Sequence, residues 1–315
     1  MKRQMSVIGV PFALGGSESG PAKGPRALIA GGLLSDLNNL GYEATYVDTK
    51  AMSANPAIFA HREEGGRMHS ANAVREVTRI AGAHTFMAHR TLRFPLILGG
   101  DHSVSIGTLP QFLDPAITSS KKVGLLWIDA HYDAHTRRTS HSHYANGLPL
   151  ASVLGRGDST LFAYRMRVGK ATPKRLSFSP RYVLHVGAGD SDCEPEESAL
   201  LANLRVRTVT MRDIRNGGVD AFARPLEQLL KCVDHLIVTI DLDAIHQDYA
   251  PGVSFRSQHG MIPPEAFLIG DMIAKSGKLR QLEIMEYNPD FEVYLADQPL
   301  TQMFVTDFLS HILAQ

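Results

Sequence analysis

The chain has 315 residues, 44% of them hydrophobic and 20% charged, which is ordinary for a globular protein with a substantial core. Its 32 basic and 32 acidic residues give zero formal net charge, and the absence of basic runs interleaved with aromatic residues argues against a nucleic-acid partner. No apolar stretch approaches the length of a membrane span, so we also expect no membrane partner.

Apolar runs typical of strands alternate with helical patterns along the chain. The predicted strands are Ser6–Val10, Tyr42–Val47, Phe94–Leu98, Val123–Ile128, Arg181–Val186, Arg205–Val209, Leu236–Ile240 and Leu279–Met285. The predicted helices are Ala27–Leu40, Arg67–His89, Ser103–Leu113, Pro195–Asn203, Asp220–Lys231, Pro263–Ser276 and Thr301–Ala314. Such alternation indicates a parallel sheet covered by helices on both faces. We therefore predict an α/β fold, a three-layer α/β/α single domain over residues 1–315 with a mostly parallel, roughly eight-stranded central sheet.

The strand Val123–Ile128 is followed by three potential metal ligands at alternate positions, Asp129, His131 and Asp133. In an extended chain, alternate side chains share one face, so these three would point into one small volume. Carboxylate oxygens with an imidazole suit a divalent ion such as manganese. The alternative is that these charged residues are simply solvated at the end of a strand.

Two further predicted strands end in residues of the same kind. His102 follows Phe94–Leu98 within Gly99–Ser103, and Asp241 and Asp243 follow Leu236–Ile240. Parallel strands bring such residues to one edge of the sheet, where ligands bind in open α/β folds. Four buried carboxylates without cations would repel one another. Six ligands exceed the needs of one ion and suit two ions roughly 3.5–4 Å apart.

These motifs resemble those of a known family. Gly-Gly-Asp-His-Ser at 99–103, Asp-Ala-His-x-Asp at 129–133, Asp-x-Asp at 241–243 and Glu286 before Tyr-Asn-Pro follow the motif order of the arginase/agmatinase/formimidoylglutamase family, the ureohydrolases. The resemblance extends from about Ser6 to the final helix, and all six ligand positions match. It implies an arginase-like fold, two Mn²⁺ ions, and hydrolysis of a C–N bond in a small guanidino or formimino substrate by a metal-bridging hydroxide. It also implies a homo-oligomer, a trimer or hexamer.

The resemblance also implies roles for individual residues. Asp133 would orient the nucleophile, and Glu286 would pair with the guanidinium or amidinium group of the substrate, where a carboxylate fits geometrically. Asp192 and Ser142 match arginase positions that face the α-amino and α-carboxylate groups of the substrate. A turn-stabilising role is the alternative for Asp192.

The second motif departs from the family pattern at Asn146. Arginases and agmatinases have a proton-shuttling histidine here, and a neutral amide cannot transfer a proton at useful pH. Either the reaction dispenses with that step, leaving Asn146 as a substrate contact, or a loop histidine substitutes for it. The candidates are His135, His141 and His143, of which we take His143 as the catalytic residue. A surface position is the alternative for each.

The substrate signals conflict. The segments 9–11 and 20–25 look like arginases, whereas 250–254 and Tyr287 look like formimidoylglutamases, and His246-Gln247 replaces the usual Asp-Pro after the third motif. We favour a guanidino amino acid such as arginine, with release of urea. The alternatives are a formimidoylglutamase that releases formamide from N-formimino-glutamate, and a catalytically inactive binding or regulatory protein of this family.

The two cysteines, Cys193 and Cys232, form neither a disulfide framework nor a Cys-x-x-Cys motif. This usage favours a reducing compartment. We therefore expect a cytoplasmic protein.

Overall fold

A computed structural model describes residues 2–50, 68–158, 160–161, 176–190 and 192–314 of the chain. Eight parallel strands form one sheet in the order β2-β1-β3-β8-β7-β4-β5-β6. The strands are β1 Arg3–Gly9, β2 Tyr42–Asp48, β3 Phe94–Leu98, β4 Val123–Ile128, β5 Val183–Ala188, β6 Arg207–Thr210, β7 His235–Asp241 and β8 Leu279–Met285. The α-helices are Gly24–Ala30, Leu33–Asn39, Ala71–Arg90, Ser105–Thr108, Pro115–Thr118, Pro149–Val153, Pro195–Leu204, Met211–Gly217, Asp220–Cys232, Pro263–Ser276 and Leu300–Ile312.

Strand β4 shows why the sheet needs a layer of helices on each side. Every residue in it is buried. Leu126 and Ile128 pack into the hydrophobic core on one face of the sheet, and Leu125 and Trp127 into the core on the other. Because successive side chains of a strand point to opposite faces, a strand that is apolar throughout must be covered on both. The predicted three-layer α/β/α fold is confirmed.

The four central strands β3, β8, β7 and β4 end at the same level. Ile128 pairs with Ile240, Ile240 with Ile284, and Leu98 with Ile284. The last residue of β7, Asp241, and the segments that follow these strands hold the predicted ligands and Glu286. The register therefore brings residues far apart in the chain to one edge of the sheet.

The predicted helix Ala27–Leu40 is wrong. The chain forms two helices there, separated at Gly31 and Gly32. Gly32 has φ of 100°, a left-handed conformation that ends a helix and that glycine adopts without steric cost. The helical periodicity continues across the break, which is why one helix was predicted.

The predicted helix Ser103–Leu113 is also wrong as a single element. Short 3₁₀ turns at His102–Val104 and Leu109–Leu113 flank one α-helical turn. Pro110 lacks the backbone donor that a continuous helix would use.

Other boundaries shift by a few residues. The strand predicted from Arg205 begins at Arg207, because Arg205 has φ of 56° and caps the preceding helix. The long second helix begins at Ala71, and its predicted start at Arg67 lies outside the described residues. Among the helices that the structure describes, none combines the length and apolar character that crossing a membrane requires.

Candidate active site

The His102 ring lies among three carboxylates at the carboxyl edge of the sheet. Its Nδ1 atom is 3.1 Å from the Oδ2 atoms of Asp129, Asp133 and Asp241. His102 is 1% exposed and Asp129 is 0% exposed, so this group is shielded from solvent. The structure thus places three of the six predicted ligands around the imidazole nitrogen of a fourth, His102.

A second group of ligands surrounds His131. Its Nδ1 atom lies 3.1 Å from Asp243 Oδ2 and 3.6 Å from Asp129 Oδ1. Asp129 therefore directs one oxygen toward His102 and the other toward His131. The two donor groups share this carboxylate, so the six predicted ligands form one continuous cluster.

Neighbouring side chains fix the orientation of these ligands. The Trp127 indole donates from Nε1 to Asp129 Oδ2 at 2.9 Å, and its ring stacks on His102 with centroids 4.4 Å apart. Thr239 Oγ1 lies 3.1 Å from His102 Nε2. A hydrogen on Nε2 that is donated to Thr239 would leave the Nδ1 lone pair for a cation.

Sequence reasoning missed Trp127 and Thr239, although a signal for both was present. Each lies two residues before a predicted ligand on its strand, Trp127 before Asp129 and Thr239 before Asp241. Side chains two apart on a strand share a face.

Backbone contacts tie Glu286 to the first ligand. The His102 amide donates to Glu286 Oε1 at 2.8 Å, and the Glu286 amide donates to the Gly100 carbonyl at 2.9 Å. Glu286 has φ of 64° and Asp133 has φ of 51°. Residues other than glycine rarely adopt this left-handed backbone conformation, and such backbone strain concentrates at functional sites.

The Asp101 side chain stabilises the turn that contains His102. Its carboxylate accepts from the Gly15 amide at 2.7 Å and from the Ser103 amide at 3.0 Å. It therefore caps the turn that contains His102 and holds the loop around Gly15 against it.

The pKa shifts follow from the burial of so many acids together. Burial and the charge of Asp129 raise the pKa of Asp133 to about 8. Burial and the charge of Asp243 raise the pKa of Asp241 well above its usual range. Burial alone would lower the pKa of His102, but its hydrogen bonds to carboxylates raise that pKa well above the ordinary value. The cluster thus requires positive charge in its interior.

The donor set fits divalent cations. Asp243 Oδ1 is buried without a hydrogen-bond partner in the described part of the chain, and Asp133 Oδ2 is buried with only the His102 ring nitrogen beside it. Buried polar atoms are normally satisfied, so each such oxygen indicates a missing partner. Carboxylate oxygens with two imidazole nitrogens match the preferences of ions such as Mn²⁺.

A cavity of about 260 Å³ opens onto this cluster. Four predicted substrate-binding residues line it: Glu286, Asp192, Ser142 and Asn146. Phe255 lies at the cavity as well, with its ring 6.0 Å from that of His131. Phe255 carried no sequence signal, because it follows no strand and belongs to no motif.

His143 does not belong to this cavity lining. It is exposed, its carbonyl accepts from the His69 amide at 2.8 Å, and its ring lies 6.2 Å from the His69 ring. His143 has φ of 58°, a turn conformation that the sequence pattern did not predict. The catalytic role predicted for it has no support from this position.

His135 is the loop histidine that lines the cavity. Its Nε2 atom lies 3.5 Å from Glu194 Oε2 and 3.6 Å from Glu197 Oε2, and its Nδ1 atom lies 3.2 Å from Thr139 Oγ1. Glu197 is 4% exposed and accepts from the Ala134 amide at 2.9 Å. Both carboxylates and the Thr139 hydroxyl therefore surround the His135 ring at the cavity.

The profile of the Arginase family matches residues 3–312. The chain belongs to the arginase family. It is 30% identical to the arginase of Bacillus caldovelox over 288 residues, 91% of each chain. The crystal structure of a Bacillus cereus arginase has a TM-score of 0.83 and 26% identity, covering 100% of this chain and 99% of that one. A Trypanosoma cruzi formiminoglutamase variant solved with Mn²⁺ has a TM-score of 0.70 over 99% of this chain and 92% of that one, but its 17% identity shows the fold alone.

Family membership confirms the resemblance found in the motifs. It also confirms the predicted enzyme class, a hydrolase that acts on C–N bonds of linear amidines. The register of the four central strands places side chains that could hold a metal ion together at the carboxyl edge of the sheet.

Proposed function

We propose that this protein is a two-manganese hydrolase that releases urea from a guanidino compound such as arginine. The observation that carries the proposal is the position of Asp129, whose two oxygens face His102 and His131 separately. A carboxylate shared in this way suits a pair of cations better than one. His102, Asp133 and Asp241 would complete the ligand set on one side.

On the other side, the ligands would be His131 and Asp243 together with Asp129. When bound, the pair of cations supplies the charge that activates a water molecule as the nucleophile. Asp133, whose carboxylate is buried beside His102, would accept a hydrogen bond from that water and orient it.

Glu286 would bind the reacting group of the substrate. It lines the cavity beside the ligand cluster, and one of its oxygens is already fixed by the His102 amide. A carboxylate in this position pairs with a planar guanidinium through charge-assisted hydrogen bonds. Burial and the charge of Asp101 raise the pKa of Glu286 well above its usual range, and a cationic substrate would offset that shift.

The charge of the cavity favours a guanidino substrate over N-formimino-glutamate. Beyond the metal ligands, four further carboxylates line the cavity, and none of its described lining residues is Lys or Arg. Those carboxylates belong to Asp192, Glu194, Glu197 and Glu286. Arginine is a net cation, whereas N-formimino-glutamate is a net anion that such a lining would repel.

For the proton transfer that the family histidine performs, we propose His135 instead of His143. His135 lines the cavity and contacts two carboxylates, whereas His143 is exposed outside it. A positioned histidine can give a proton to a leaving amine. Asn146 would then contact the substrate through its amide.

A metal analysis combined with two product assays tests the proposal. Protein purified with Mn²⁺ should contain two manganese ions per chain and release urea from arginine or another guanidino compound. Formamide release from N-formimino-glutamate would instead favour a formimidoylglutamase. The presence of Asn146 in place of the family histidine supports this second candidate. No product from either substrate class would favour an inactive binding or regulatory protein.

Three further expectations stay predictions. They are a cytoplasmic location, a trimeric or hexameric assembly, and a single domain over residues 1–315. Sedimentation of the purified chain would test the second.

A further inference from the structure

A second cavity, of about 790 Å³, lies at the opposite edge of the sheet. Its lining includes residues from the starts of three central strands, Phe94 of β3, His235 of β7 and Arg280 of β8, and Arg3 of β1. Ligands of open α/β folds normally bind at the carboxyl ends of strands. This cavity at the amino edge is therefore separate from the site described above.

The lining of this cavity is strongly basic. It contains Arg3, Arg90, Arg93 and Arg280, and no carboxylate side chain among the described residues. Two histidines also line it, His89 and His235. Burial lowers the pKa of His89 to about 4 and lowers the pKa of His235 as well, so neither adds charge near neutral pH.

Two of the four arginines have uncharged hydrogen-bond partners. Arg93 donates to Ser6 Oγ and the Met5 carbonyl, each at 2.9 Å. Arg280 donates to the carbonyls of Gly277 at 2.9 Å and Leu279 at 2.8 Å.

Within the described part of the chain, none of the four arginines forms an ion pair with a carboxylate. Burial and the charge of Arg3 lower the pKa of Arg280. The nearby Asp234 is not part of the lining and accepts from the Lys122 amide at 2.8 Å.

Helix ends offset only part of this charge. Three helices end at the cavity, with Arg90, Gly277 and Leu313 among its lining residues. Each helix C-terminus carries about half a negative elementary charge, so three of them offset less than half of four guanidinium charges. The cavity thus retains a net positive charge.

The rest of the lining is apolar. The Phe112 ring lies 4.7 Å from the His89 ring and 5.4 Å from the His235 ring, forming a continuous wall. Ile117 and Ile273 extend this surface. A small inorganic ion would leave the wall uncovered, and cavities of roughly 300–1,000 Å³ accommodate organic ligands.

We propose that this cavity binds an organic anion, whose carboxylate or phosphate group contacts the arginines and whose apolar part packs on the Phe112 wall. Guanidinium groups bind both kinds of anion through paired hydrogen bonds. The proposal concerns a different edge of the sheet from the metal centre and stands independently of the substrate assigned there.

Calorimetric titration of the manganese-loaded full chain tests the proposal with four probes. Phenyl phosphate and phenylacetate carry the two anionic groups on the same apolar body, inorganic phosphate lacks the body, and phenol lacks the charge. We expect at least one aromatic anion to bind more tightly than inorganic phosphate and phenol. The tighter of the two aromatic anions identifies the preferred group.

Two variants locate the bound anion. Arg280→Gln removes a guanidinium, and Ala116→Glu adds a carboxylate at an exposed position of the lining. Each should weaken binding about tenfold or more, Arg280→Gln because it removes charge-assisted hydrogen bonds and Ala116→Glu because its carboxylate repels the anion. The control Arg224→Gln changes an exposed arginine paired with Asp220 and should leave affinity unchanged. Thermal unfolding of each variant checks that it folds.

Three outcomes would overturn the proposal. The first is no binding of either aromatic anion. The second is a failure of either comparison. Phenyl phosphate, inorganic phosphate and phenol would then bind with equal affinity, or Arg280→Gln and Ala116→Glu would both bind the aromatic anion as tightly as the wild type does. The third is a wild type that binds no anion, together with an Ala116→Glu variant whose assembly in solution has a lower molecular mass than that of the wild type. The cavity would then be an interface between copies of this chain.

Discussion

The two edges of the central sheet carry opposite charge. At the carboxyl edge, the cavity is lined by seven carboxylates and no described Lys or Arg, whereas the amino-edge cavity is lined by four arginines and no described carboxylate. Strand β8 shows the contrast within one element, since Arg280 lies near its start and Glu286 follows its end. A zero net charge for the whole chain conceals this separation.

The separation has a functional consequence. An acidic cavity concentrates divalent cations and cationic substrates, and a basic cavity concentrates anions. Because the two cavities open at opposite edges, one ligand need not compete with the other. Substitutions at one edge should therefore leave binding at the other edge intact.

The strongest test of the carboxyl edge is His131→Ala. It should reduce bound manganese from two ions to about one and lower kcat/KM roughly a thousandfold, because one cation supplies several kcal/mol of stabilisation. Metal analysis and urea release measure both. His311→Ala, at a histidine that contacts Asp271 and lines neither cavity, is the control and should keep both. Full activity in His131→Ala would contradict the proposed centre.

A buried polar chain between the two edges gives the second test. His89 Nε2 lies 2.7 Å from Gln281 Oε1, Gln281 donates to Glu283 Oε1 at 2.7 Å, and Ser105 donates to Glu283 Oε2 at 2.6 Å. Burial raises the pKa of Glu283 from 4.5 to about 7. Between these values the folded state holds a proton that the unfolded chain releases, so the free energy of unfolding falls as pH rises.

Replacing Glu283 by Gln should remove this pH dependence. Relative to wild type, Glu283→Gln should gain up to about 3 kcal/mol of stability between pH 4.5 and pH 8, since one pKa unit corresponds to about 1.4 kcal/mol. Denaturant unfolding of both proteins across this range measures the difference. A constant difference across the range would mean that Glu283 titrates alike in the folded and unfolded states.

The third test concerns substrate binding alone. Glu286→Gln should lower kcat/KM about a hundredfold, because it weakens charge-assisted hydrogen bonds worth about 2–3 kcal/mol. Manganese content should stay at the wild-type value. Glu196→Gln, at an exposed position, is the matched control. Loss of metal in Glu286→Gln would instead assign this residue to the ligand cluster.

The ligand cluster at the carboxyl edge could be predicted from the sequence because its residues form short local motifs. Asp129, His131 and Asp133 alternate directly after a strand, and the bounds of β3, β4 and β8 were predicted without error. The loop that follows was beyond this reasoning. Whether His135 or His143 reaches the cavity depends on left-handed turns at Asp133 and His143, which no periodicity encodes.

The amino edge was beyond sequence reasoning for a different reason. Arg3, Arg90, Arg93 and Arg280 come from three separate parts of the chain, and each alone resembles a solvated surface residue. Only the pairing of β1 with β3, and of β3 with β8, brings them together. Functional clusters that depend on topology without a local motif become visible only in the fold.

The smallest expected effect concerns the support of a ligand. Thr239→Val removes the hydroxyl 3.1 Å from His102 Nε2 while keeping the size and β-branching of the side chain. Loss of such a partner should weaken manganese binding about tenfold, because the His102 ring is then free to rotate and to change tautomer. Thr239→Ser keeps the hydroxyl and should bind manganese as the wild type does. If Thr239→Val binds manganese as the wild type does and Thr239→Ser binds it weakly, packing of the threonine methyl group, and not its hydrogen bond, positions His102.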